Sequence, residues 1–122
     1  MGEVRPENGN SYLARQKFMD LETAQKRYGI KPFSKGEFQD APLPDQAAMA
    51  VSFLKQNPFV GKTTQEVNVA LGPSTGHFWN DTVAAYIIDE GWKTGKATWQ
   101  LVFLIDTSGK VIEAKIHKNC CP

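Results

Sequence analysis

Residues 57–73, NPFVGKTTQEVNVALGP, decide how the rest of the chain is read. Gly61 marks a tight turn. Thr63 stands three residues before Glu66, the capping-box spacing in which each side chain satisfies an otherwise orphaned backbone N–H at a helix start. Val67, Ala70 and Leu71 recur at i, i+3 and i+4 and form one narrow apolar face. Gly72 supplies a left-handed residue after the helix, and Pro73 forbids its continuation. A helix of barely two turns does not hold alone in water. It needs a larger neighbour, and the flanking sequence predicts a helix before it and a sheet after it.

Upstream, residues 45–55 (DQAAMAVSFLK) are apolar nearly all round, the mark of a buried helix. Asp45 is its expected N-cap and Asn57-Pro58 its stop. Residues 31–44 (KPFSKGEFQDAPLP) read as a loop pinned down by burying Phe33 and Phe38. Residues 11–28 carry a helical pattern through Leu13, Leu21, Ala24 and Tyr28, with Asp20 the candidate cap of a second short helix ending at Gly29. Residues 1–10 read as flexible. The expected organisation is one compact unit: an N-terminal helical extension over residues 1–40 and an α+β domain over residues 41–122.

Downstream of Pro73 the period changes from helical to twofold. Residues 76–79 read as a short strand followed by an Asn80-Asp81 turn, and residues 82–88 (TVAAYII) as a strand by residue type. Residues 89–96 form a loop carrying Trp92. Residues 97–106 and 110–118 make a hairpin about Thr107-Ser108-Gly109. With Ser108-Gly109 as a two-residue turn, Ile105 faces Ile112, Phe103 faces Ala114 and Leu101 faces Ile116, all on one apolar face; a one-residue slip would bring Gln100 into it. The opposite face then holds Gln100, Val102, Leu104, Val111, Glu113 and Lys115. The predicted fold class is α+β, with a helix-turn-helix packed on one face of a three- or four-stranded antiparallel meander.

The 122 residues suffice for one domain with a genuine core. A hydrophobic content of 41% and a charged content of 22% are ordinary for a globular chain. The net charge is +1, with both signs mixed throughout, which argues against a nucleic-acid surface. No apolar run approaches the ~20 residues of a membrane span, and the first residues show no signal-peptide apolar stretch. The two cysteines, Cys120 and Cys121, are too few for a disulfide framework; a dimer through either is the expected pairing, and a vicinal Cys120–Cys121 bond, which needs an unusual peptide geometry, is the alternative.

Chemistry-bearing residues are sparse. Gly61-Lys62-Thr63 resembles the end of a phosphate loop, but Gln56 stands where the first glycine belongs and a helix precedes it rather than a strand. His117 with Cys120 and Cys121 falls short of four zinc ligands, and His77 is the only other histidine. For acid–base work the pairs are His77 with Asp81 and His117 with Glu113, the latter two pleat repeats apart. Ser74 and Thr75 near His77 match no nucleophile context. No catalytic, metal or cofactor site is assigned. Trp79 and Trp92 fall in loops, where tryptophans plug core ends or anchor partners; Trp99 reads as structural.

The succession Phe59-Val60-Gly61-Lys62-Thr63, Glu66-Val67, Leu71-Gly72-Pro73, a strand with Tyr86, then Leu101 to Ile105, Asp106 and Gly109-Lys110-Val111 resembles the SmpA/OmlA-type bacterial lipoprotein domain and its fold relative, the β-lactamase inhibitor protein repeat. The resemblance spans roughly residues 45–116. It implies an α+β fold, no catalysis, a place in the periplasm or at the outer-membrane periphery where a leader has been removed, and work done by binding another protein. The expected contact residues are Val102, Leu104, Val111, Trp79 and Trp92. The alternatives are an inhibitor or immunity protein that binds a partner enzyme, and a small-ligand or enzymatic α+β domain with a deep pocket.

Overall fold

The computed structural model describes residues 17–34, 36–78 and 82–120. Along them run strand β1 (Phe18–Met19), helices α1 (Leu21–Tyr28), α2 (Leu43–Gln56) and α3 (Thr64–Leu71), strand β2 (Ala84–Asp89), a 3-10 turn (Gly91–Thr94), and strands β3 (Thr98–Ile105) and β4 (Val111–Cys120). The strands form one antiparallel sheet in the order β1-β4-β3-β2. The α+β class expected from the sequence is the observed one.

Local capping places α1 and α3 as expected. Asp20 Oδ1 accepts from Thr23 N at 2.7 Å, and Gly29 ends α1 at φ +77°. Both halves of the capping box on α3 are made: Glu66 N donates to Thr63 Oγ1 at 3.1 Å and Thr63 N donates to Glu66 Oε1 at 2.8 Å. Gly72 closes it at φ +93°. Helix α2 corrects its expected cap. It starts at Leu43 with Pro42 as N-cap, because proline in a first helical turn forfeits no hydrogen bond. Asp45 sits inside that turn, where its charge suits the helix dipole, and pairs with Lys31 at 3.5 Å. The readings for residues 1–10 and 11–16 lie outside the described residues, but the helical reading of residues 11–28 is corrected at Phe18–Met19, which pair with His117 and Ile116 as strand β1.

The main face of the sheet presents Ala84, Tyr86 and Ile88, Leu101 and Phe103, and Ala114 and Ile116 to α2 and α3. Phe53 of α2 is the hub: Phe33, Phe59 and Phe103 lie 4.8, 5.6 and 5.7 Å from its ring centre, and Phe38 lies 6.0 Å away. Tilted and edge-on rings at such separations add to the area they bury. Phe33 and Phe38 thus pin their loop as expected. Met19, Ala24 and Phe38 join the same core, so the described residues between 17 and 40 pack with the rest.

The β3–β4 hairpin keeps two of its three predicted pairs, Phe103 with Ala114 and Leu101 with Ile116. The third is different: Ile105 pairs with Val111. The turn holds three residues rather than two, because Gly109 donates to Asp106 O and takes the left-handed conformation at φ +85° that closes such a loop. One extra residue would invert every side chain beyond it. A bulge at Ile112 restores the register, turning Val111 into the core, 2% exposed, and leaving Ile112 50% exposed. Ile112 and Val111 have therefore exchanged their expected roles.

Loops and side chains close the sheet's edges. On β2, Ala85 N donates to Ser74 Oγ and Ile87 N to Thr75 Oγ1, while Thr75 N and Gly76 N both donate to Ala85 O. The segment 76–78, expected to open a strand, instead runs off this edge and across the sheet's reverse face. On β4, Gly61 N donates to Val111 O, Val111 N to Lys62 O, Ala114 N to Asn57 Oδ1 and Lys118 N to Lys17 O. Such covers suppress edge-to-edge association.

The bulge yields a direct test. Val111→Asp places an unpaired carboxylate in the core and abolishes cooperative folding, whereas Ile112→Asp shifts stability by no more than about 0.5 kcal/mol in urea unfolding. Equal effects of the two substitutions would refute the bulged register.

Candidate functional site

The reverse face of the sheet, expected to be open, carries a second apolar cluster. Phe78 and Val83 from the β2 approach lie with Ala85 and Val102, and Phe18 of β1 and Leu104 pack against them. Val102 is wholly buried and Val111 belongs to the main core, so neither can touch a partner; Leu104 is half-buried. These positions correct the expected contact surface. Val102 is covered because the segment after α3 crosses the sheet instead of adding a strand to it, and Val111 is turned into the main core by the bulge at Ile112. Trp79 and Asp81 lie outside the described residues.

Beneath that cover sits a buried polar set. Gln100, wholly buried in β3, accepts from His77 N through Oε1 at 3.0 Å, donates from Nε2 to His77 O at 2.6 Å, and faces His117 Nδ1 at 3.0 Å. His117, 6% exposed, stands across the β3–β4 ladder from Gln100. Phe78 meets its ring edge-on at 4.6 Å and Phe18 lies 5.6 Å away. Burial pushes the His117 imidazole down from its ordinary 6.5 to about 4. Glu113, once paired with His117 as an acid–base candidate, instead contacts Lys115 at 3.5 Å. Ser74 and Thr75 serve the β2 edge, and Ser74 Oγ also donates to Asn68 Oδ1 at 3.2 Å. Gly61-Lys62-Thr63 is the turn and cap that joins α3 to β4. Among the described residues no three His, Cys, Asp or Glu side chains gather as a metal site.

A different surface forms at the open end of β2. The 3-10 turn is tightly built: Trp92 N donates to Thr98 Oγ1 at 3.0 Å and Lys96 N to Gly91 O at 2.8 Å. Gly91 is required, since a Cβ there would collide with the Ala97 carbonyl. On this tightly bonded turn Trp92 is 59% exposed. Lys93 Nζ stands 5.6 Å from its ring centre and 2.8 Å from Glu90 Oε1. Glu90 in turn lines two shallow clefts with Leu43, one of about 230 Å³ reaching Tyr28, Ala47 and Ile88, the other of about 450 Å³ reaching Gln46, Thr75 and Ile87. Tyr28 donates to Asp89 Oδ2 at 2.7 Å, and burial together with that carboxylate holds its hydroxyl well above the ordinary 10.

Trp99 is half-buried against the main core, as expected of a structural residue; its indole Nε1 has no hydrogen-bond partner among the described residues. Cys120 ends β4, and Cys121 lies outside the described residues. Among the described residues no helix is long and apolar enough to cross a membrane. Comparison with protein-family models, curated proteins and solved structures finds no match.

Sequence reading found Trp92 but missed Gln100 and the Leu43–Glu90 clefts. The signal for Gln100 was present: it is the one amide in the apolar run of β3. Gln100→Leu removes three polar contacts at once, two of them to the His77 backbone. A loss of about 1–3 kcal/mol in urea unfolding is expected. An unchanged midpoint would show that the buried set contributes nothing.

Proposed function

We propose that this chain is a non-enzymatic protein-binding module whose contact surface is the Trp92 turn and the two clefts beside it. The observation that carries this reading is a large aromatic ring held out in solvent by a turn that is itself tightly hydrogen-bonded. Rigid exposed tryptophans beside apolar clefts make interface anchors, because little conformational entropy is lost when they are buried. Leu43 and Ile88 supply apolar cleft walls, and Glu90 a charged rim already paired with Lys93.

A scaffold or assembly role in the bacterial cell envelope rests on the resemblance of residues 45–116. The capped turn-and-helix pair packed on an antiparallel meander supports it. An inhibitor role would use the same anchor against an enzyme's cleft.

The test is affinity capture from bacterial envelope extract on immobilised wild type and Trp92→Ala, followed by titration of any captured protein. The variant keeps its unfolding midpoint within about 0.5 kcal/mol and binds at least ~30-fold more weakly, the loss of an anchor of about 2 kcal/mol. Equal binding by both proteins would exclude the Trp92 surface.

A further inference from the structure

We propose that the groove along the outer edge of β2 takes an extended basic peptide, which adds to the sheet at Ile87; this names the partner for the surface proposed above and rests on that reading. The cover over this edge stops short. Ser74, Thr75 and Gly76 satisfy Ala85 N and Ala85 O, and Thr75 Oγ1 accepts from Ile87 N at 2.9 Å. In an antiparallel ladder the N–H and C=O of one residue point to the same edge. Ile87 O therefore faces outward as well, and it has no partner among the described residues. Thr75 is exposed; its hydroxyl oxygen receives the Ile87 N–H and its own O–H is left to donate. An acceptor and a donor thus stand side by side on the edge. One residue of an extended peptide meets both, with its N–H on Ile87 O and its C=O on the Thr75 hydroxyl.

The space beside this edge is continuous. A cleft of about 220 Å³ at Tyr86 shares Gln46 and Thr75 with the cleft of about 450 Å³ at Ile87. The latter shares Leu43 and Glu90 with the cleft of about 230 Å³ at Ile88. Together they follow the chain from Tyr86 to Glu90, about 14 Å when extended and so the span of a five-residue peptide. The start of α2, through Leu43 and Gln46, forms the facing wall. Alternate side chains of an added strand point towards that wall, where Leu43 and Ile88 offer apolar contact. The β2–β3 ladder shifts register between Ile87 and Asp89, which ends the regular edge. Backbone pairing is therefore one residue long, and side chains must select the peptide.

Charge makes that selection. Among the described residues, the charged side chains lining the three clefts are Asp89 and Glu90, both carboxylates. Asp89 accepts from the Tyr28 hydroxyl at 2.7 Å and lies 3.7 Å from Arg27. Glu90 meets Lys93 at 2.8 Å in a largely exposed pair, the weakly held kind. A lysine or arginine on the peptide takes the place of Lys93 at little cost. An acidic peptide would meet two carboxylates and no cation within the groove.

The experiment is an NMR titration of the full chain with the acetylated, amidated peptide KVKVK, its counterpart EVEVE, and a KVKVK form N-methylated at its three central residues. KVKVK is expected to shift the amides of Ile88, which follows the Ile87 carbonyl, and of Thr75, saturably at millimolar peptide. It binds about fivefold more tightly than EVEVE, and in Glu90→Gln the two come within about twofold of each other. The N-methylated form, with no central N–H to donate, binds at least about fivefold more weakly than its parent. No saturable shift at Ile88 and Thr75, an N-methylated peptide that binds as well as KVKVK, or a charge preference unchanged in Glu90→Gln would each overturn strand addition. Shifts confined to the Trp92 turn would overturn it while leaving the Trp92 anchor standing, which the Trp92→Ala comparison tests separately.

Discussion

Val111 is held from both sides by the turn that joins α2 to α3. Its carbonyl accepts from Gly61 N at 2.8 Å, its N–H donates to Lys62 O at 2.7 Å, and three residues on, Ala114 N donates to Asn57 Oδ1 at 2.8 Å. These contacts stitch the helical hairpin to the edge of β4, and the rest of the fold follows from them. They set α2 and α3 at one height over the sheet, so that Phe53, Val67 and Leu71 meet Phe103 and Val111 in a single core. They also occupy backbone groups that an edge strand would otherwise offer to another chain. The bulge at Ile112 belongs to the same device, since only a Val111 turned inward presents its backbone to Gly61 and Lys62 while filling the core.

The second consequence concerns the other face. An antiparallel meander with helices on one side usually leaves its reverse side to water. Here the chain between α3 and β2 uses Ser74, Thr75 and Gly76 to cap the β2 edge, then lays Phe78 across the reverse face, where Phe18 and Val83 complete the cover. With both faces occupied, the exposed tryptophan lies beyond the end of β2, where the tightly built turn carries Trp92. Gln100 is the polar residue that makes this second layer specific. It orients the crossing segment through two backbone groups of His77 and lies against His117 Nδ1.

Much of this was legible in the sequence, for definite reasons. The α3 caps are local chemistry within four residues of each other, so Thr63, Glu66 and Gly72 declared themselves. The apolar circumference of α2 and the alternation of β3 and β4 gave the core face, including the pairing of Phe103 with Ala114. What escaped were features set by distant partners. The two-residue turn assumed for the hairpin was one residue short, and the bulge at Ile112 cancelled that error from Leu104 with Glu113 to Trp99 with Lys118, leaving Ile105, Val111 and Ile112 misplaced. Val111 was then placed on the wrong face, because strict alternation has no means of announcing a bulge. Asp45 looked like a cap since carboxylates favour helix starts, yet the prolines at 42 and 44 fit the first turn equally well and begin the helix earlier. The cover on the reverse face was illegible because Phe78 and Phe18 reach it from separate parts of the chain.

Asn57 separates the stitch from an ordinary helix end. It occupies the left-handed position after α2 at φ +48°, a conformation glycine adopts without strain. If it served only to end the helix, Asn57→Gly would match or exceed wild type in urea unfolding. If it anchors the helical hairpin to β4, the same substitution strands the Ala114 N–H and costs about 1–3 kcal/mol, with loss of exchange protection at Ala114. The stitched account predicts the second result, and a neutral or stabilised Asn57→Gly protein would contradict it.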